Sequence, residues 1–111
     1  MNVYDTANRL ASEIKESEEY VNYKMAKQAL SLNSELKSKI ENFDKLRYEF
    51  QLEMMQTGKN NEEKNAQLQK EYADLVENPD AKKFFEAETK FNILIADVNK
   101  IIGEAIRDVM Q

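Results

Sequence analysis

The chain is predicted to be all-α: an elongated antiparallel bundle of about five helices with a long C-terminal helix, in a single domain spanning residues 1–111. Three observations point there. Helix breakers are scarce, with two Gly and one Pro, while Glu, Lys, Ala, Leu and Gln abound; these are strong helix formers. Apolar residues recur every three or four positions, and no segment alternates with period two over a useful length. The stretch from Pro79 to Met110 carries three adjacent apolar rows: Phe84, Phe91, Val98 and Ala105; Ala87, Leu94 and Ile101; Ile95, Ile102 and Val109. That face is broader than a two-row coiled-coil seam and needs more than one covering neighbour.

The elements follow in order. Asn2 caps a first helix, with Asp5 at the reciprocal capping position. Val3, Ala7, Leu10 and Ile14 define its expected buried stripe, with Tyr4 and Ala11 alongside. Ser17 restarts the chain, because a serine hydroxyl accepts from the free amides of a first turn and Glu18 and Glu19 suit the positive end of the helix dipole. This second helix runs to about Leu32, with Val21, Met25, Ala29 and Leu32 on one face and Tyr23, Ala26 and Leu30 in the neighbouring row. Asn33 caps a third helix from Ser34 to about Gln56. Its main stripe is Leu36, Ile40, Phe43, Phe50 and Met54, interrupted by Arg47, and Tyr48, Leu52 and Met55 form a second. Gly58 ends it in the left-handed conformation that costs glycine little. Asn60 or Asn61 caps a fourth helix, whose face is Leu68, Tyr72, Leu75 and Val76. Asn78-Pro79 then opens the fifth, since proline suits a first helical turn. At 1.5 Å per residue that last helix is roughly 45–48 Å long, whereas a compact chain of this size is roughly 34 Å across. It outreaches any globule its own chain could build.

Composition narrows the function. The net charge is −5 and no Lys/Arg run exceeds two residues, so the clustered positive charge of a nucleic-acid groove is lacking and no direct nucleic-acid partner is expected. With no cysteine and no histidine, the chain has no means to make disulfides, zinc fingers, thiolate-held clusters or Cys–His catalytic pairs. The opening Met1-Asn2-Val3-Tyr4-Asp5 has neither the basic nor the apolar region of a secretory signal. The longest apolar run, Ile93–Ala96, is far short of a membrane span. A cytoplasmic protein without membrane partner, cofactor or metal is expected. Glu71, Asp74, Glu86, Glu88 and Asp97 could mimic a di-iron carboxylate set, but that site also needs histidines on two helices, so a solvated face is the better reading. The serines lack a histidine base, and the two glycines form no phosphate loop. No catalytic residue is assigned.

Some residues keep two readings. Glu88, bordering the apolar face, either pairs with a cation at an interface or lies on its rim. Gly103, inside the last helix at a cost of about 1 kcal/mol relative to Ala, reflects either close approach of another helix or fraying. Met54-Met55 and the tyrosines either fill the core, the commoner use, or form an adaptable surface.

Ser17-Glu18-Glu19-Tyr20 followed by Tyr23-Lys24, the corner at Asn33, Gly58, and Asn78-Pro79 leading into Phe84-Phe85-Glu86-Ala87-Glu88 resemble the bacterial YlbF/YmcA family. Val3-Tyr4-Asp5 and Asn99-Lys100-Ile101-Ile102 look closest to its YheA-like, UPF0342-type branch. The likeness covers nearly the whole chain and lies in caps and packing residues. It implies an elongated helical protein that forms dimers or larger assemblies. It also implies regulatory work of the kind linked to competence, sporulation, biofilm formation and accessory roles in mRNA processing. The cysteine-rich, cluster-associated tail of some members has no counterpart here, since the sequence contains no cysteine.

The expected function is therefore a non-enzymatic, self-associating helical adaptor, a homodimer or higher homo-oligomer, with other regulatory proteins as further partners. Its expected contact face is Phe84, Phe91, Leu94, Val98, Ile101 and Ile102, which supply core and subunit contact together. The alternative is a scaffold or chaperone-like protein that holds client segments between its helices.

Overall fold

A computed structural model describes residues 2–110. Five helices follow one another: α1 (Val3–Glu16), α2 (Glu18–Ser31), α3 (Ser34–Thr57), α4 (Glu62–Leu75) and α5 (Pro79–Met110), with no strand among the described residues. Each boundary is local chemistry. The Asn2 side chain accepts from the Tyr4 amide at 2.8 Å. Ser17 closes α1 and opens α2: its hydroxyl donates to the Ile14 carbonyl at 2.6 Å and accepts from the Tyr20 amide at 3.2 Å. Asn33 accepts from Leu36 N–H at 3.1 Å. Gly58, at φ 69°, ends α3 by donating to the Met54 carbonyl. Asn61, not Asn60, caps α4, accepting from Lys64 N–H at 3.1 Å. Asn78 precedes Pro79 and accepts from Asp80 N–H at 2.9 Å.

Two antiparallel pairings organise these helices. α2 lies along the first half of α5, where Tyr20 meets Phe91 and Tyr23 meets Phe84. α3 and α4 form a hairpin, with Phe43 against Tyr72 near the core and Glu53 held by Asn61 and Lys64 near the turn. The pairs meet in a core of Leu30, Leu36, Ile40, Phe43, Leu68, Leu75, Ala81, Phe84 and Phe85. An aromatic path runs through it from Tyr20 by way of Phe91, Tyr23, Phe84, Phe85 and Phe43 to Tyr72.

The molecule is extended and flat. Its extents are 50 × 38 × 16 Å and its radius of gyration 17.7 Å, against about 13 Å for a compact chain of this length. The long axis matches an unbroken α5.

Each of the first four helices differs somewhere from its expected face; in α4 Leu68 and Leu75 are buried but Tyr72 is exposed at 45%. In α2 the row Tyr23, Ala26, Leu30 turns inward, because α5 docks there, while Val21, Met25 and Leu32 are exposed. In α3 the second stripe, Tyr48, Leu52 and Met55, faces out, and of the first only Leu36, Ile40 and Phe43 are buried and Phe50 half-buried, while Met54 at its end is exposed. Arg47, the gap in that first stripe, pairs with Asp44 at 2.9 Å and lies 5.7 Å over the Phe43 ring, so its stem shields the core edge. In α1 the expected buried stripe is not buried: Val3, Tyr4, Ala7 and Ala11 are exposed, and only Leu10 and Ile14 are half-covered.

Candidate interaction surface

Exposure along α5 falls into three zones. Ala81, Phe84 and Phe85 are buried at 0%, 4% and 5% exposure. Phe91, Leu94, Ile95 and Val98 are half-buried. Every residue from 99 to 110 is exposed, although the apolar repeat runs on through Ile101 at 69%, Ile102 at 48%, Ile106 at 45% and Val109 at 80%. The six residues of the expected contact face therefore divide. Phe84 belongs to the subunit's own core, Phe91, Leu94 and Val98 lie on its margin, and Ile101 and Ile102 are open.

Leaving an isoleucine side chain in water forgoes about 1.5–3 kcal/mol of burial energy. Single exposed apolar residues are ordinary; a continuous row of them is the signature of an interaction surface. The row is not isolated. α1 precedes Tyr20 and the open part of α5 follows Phe91, and those two rings are 6.0 Å apart. The strip of α1 and that of α5 thus each begin within about two helical turns of this contact. Sequence periodicity marks both as buried; it carries no sign of which neighbour is missing.

A polar contact joins α2 to α5 next to these rings. The Tyr23 hydroxyl donates to a Glu88 carboxylate oxygen at 3.2 Å, tying α2 to α5. Burial, then the Glu88 charge and this hydrogen bond, push the Tyr23 phenol above its ordinary pKa. Glu88 finds a tyrosine, neither the cation nor the bare rim expected of it. At the α3–α4 turn Glu53 takes bonds from Lys64 at 2.9 Å and from Asn61, and the first of these, with the second, holds its carboxylate below the usual range.

A second feature lies between α2 and α5, an open groove of about 760 Å³. Its lining includes Ala26, Ala29, Ala87, Met25 and Ile93, with Glu18 and Glu19 from the start of α2. Among the described residues no group of three or more Asp or Glu side chains is arranged to hold a metal ion, and no helix is long and apolar enough to cross a membrane. Gly103 is exposed on α5, and a Cβ built there meets nothing within 4 Å.

The chain is similar to known proteins over nearly its whole length. The family described as control of competence regulator ComK, YlbF/YmcA, matches residues 3–107. A UPF0342 protein of Desulfitobacterium hafniense is 36% identical over 110 residues, covering 99% of this chain and 89% of its own. UPF0342 proteins of Symbiobacterium thermophilum and Caldicellulosiruptor bescii are each 33% identical, over 94% and 95% of this chain and 93% and 88% of their own. The name UPF0342 assigns no activity.

Proposed function

The chain belongs to the YlbF/YmcA family of competence-control regulators, and from that premise we propose that it is a non-enzymatic, self-associating helical adaptor in a regulatory pathway. One observation carries the reading: the apolar face of α5 continues beyond its last neighbour, leaving Ile101, Ile102 and Val109 exposed in the rows of the half-buried Leu94 and Ile95, with Ile106 exposed beside them. A second copy of the chain is the simplest cover, because oligomers of identical chains bury the same patch on both partners. Catalysis has no support in the residues. The serines have no histidine to activate them.

Sedimentation at micromolar concentration tests the reading, with a dimer or larger species expected. Ile102→Asp should give a monomer of unchanged helicity, since an unpaired charge buried at an interface costs about 3–5 kcal/mol while the same residue is open in the single chain. A wild-type chain that stays monomeric throughout overturns it.

The α2–α5 groove favours a second reading, a scaffold that holds a client helix there. It predicts binding of an apolar dye by the native protein that Met25→Glu removes without altering assembly; wild-type and variant binding the dye alike would count against it.

A further inference from the structure

We propose that the groove between α2 and α5 receives a cationic amphipathic helix of about 11–14 residues, supplied by another protein. The inference rests on the second reading above and adds the length, anchoring and charge of the client. Three observations lead to it.

The first is length. The α2 side of the lining runs from Glu18 to Ala29 and the α5 side from Asp80 to Ile93. At the helical rise these are about 17 and 20 Å, some three to four turns. An open trough of that length suits a helix lying along it. A small molecule is held instead by a cavity that encloses most of its surface.

The second is the apolar part of the lining. Ala26, Ala29 and Ala87 are small and half-buried, so nothing bulky there keeps another backbone away. Met25 and Ile93, one from each helix, are exposed at 61% and 55% in the subunit. They offer apolar contact, and methionine adapts its shape to what it meets. A helix presenting apolar residues at i, i+3 or i+4, and i+7 covers such a strip.

The third decides the occupant. Glu18, Glu19, Asp80 and Glu86 line the groove against Lys83 and Lys90. The ion pairs among the described residues join other side chains, so none of these charges is neutralised by an ion pair within the subunit. Four carboxylates against two ammonium groups leave the lining acidic, and the chain as a whole carries −5. A second copy would bring like charge to this groove. A helix bearing Lys or Arg beside its apolar face meets opposite charge there.

The probe is a peptide of about 14 residues with Leu and Ala on one helical face and Lys on the other. Its counterpart has Glu in place of every Lys. Peptides this short are largely unfolded alone, so docking is read twice, by fluorescence anisotropy of the labelled peptide and by gain of helical circular dichroism. The Lys peptide is expected to bind at least about tenfold more tightly than the Glu peptide, with affinity falling as salt rises. Met25→Ser with Ile93→Ser, at exposed sites and without change of charge, should weaken it about tenfold. Attraction between opposite charges alone would be unmoved by that pair. Glu18→Lys with Glu86→Lys, also at exposed sites, should reverse the preference; the wild-type comparison decides even where this variant folds poorly.

Equal binding of the two peptides, lost in the double serine variant, overturns the charge preference while a client helix in the groove stands. Lys-peptide binding that the serine variant keeps overturns the groove as its site. A peptide that binds only as the wild-type oligomer dissociates shows a second copy in the groove and overturns the inference too. Binding of neither peptide overturns it alone where the apolar dye still enters the groove, and with it the client-helix reading where the dye does not.

Discussion

The first part of α5, up to about Val98, and its last turns, residues 99–110, carry the same apolar repeat, yet the first is buried or half-buried along that repeat and the second is surface. Phe84 and Phe85 sit among α2, α3 and α4 residues at 4% and 5% exposure. Ile101 and Ile102, continuing the rows of Leu94 and Ile95, have no such company. The difference is geometric: α2, the helix that lines α5, starts only at Glu18, beside Phe91, and no other helix pairs along α5, so the cover stops before the helix does. A repeat in sequence states that a face needs covering; it does not state that the same chain covers it.

Substitutions can break this contrast or sharpen it. The largest effect is expected in the first half. Phe85→Ala should lower the stability of the single chain by about 3–5 kcal/mol, measured by denaturant unfolding in the Ile102→Asp background. Ile106→Ala, in the same background, should cost about 0.5 kcal/mol or less. Equal losses would mean that the two halves are not different environments. At the junction, Tyr23→Phe removes the bond to Glu88 and should cost about 0.5–1.5 kcal/mol. Gly103→Ala adds a Cβ that meets nothing in the subunit. It should firm the end of α5 by about 1 kcal/mol, read as slower amide exchange there. Weaker assembly instead would place another helix against that side.

The smallest effects are those of pH, and they separate the two pairings. Tyr23 has a raised pKa, so its contribution is complete below the ordinary phenol value of 10.0 and lost as pH climbs through the raised one; alkali should loosen α2 from α5. Glu53 has a lowered pKa, so its contribution is present above the ordinary 4.5 and lost as pH falls through the lowered one; acid should loosen the α3–α4 turn. Ring signals of Tyr23 and amide signals near Asn61, followed by NMR across pH, would check both. Signals at the turn that move only in alkali would contradict the assignment.

Much of the fold was legible in the residues. Helix starts at Asn2, Ser17, Asn33 and Asn78, the stop at Gly58 and the long last helix could all be read, because each is decided by atoms within about one turn: a side-chain oxygen and a nearby amide, or a backbone angle only glycine adopts cheaply. The choice between Asn60 and Asn61 fell to the hairpin, where Asn61 also reaches Glu53. Tertiary structure alone decided which apolar row of each helix was buried. Tyr23 was preferred to Met25 because α5 came to that side of α2, and the strip of α1 stayed open because nothing in the chain reached it. Of the contact face, the sequence marked residues 84–102 as apolar, but only packing could assign Phe84 inward and leave Ile101 and Ile102 out. Local bonds depend on neighbours in sequence, whereas burial depends on which distant surface arrives.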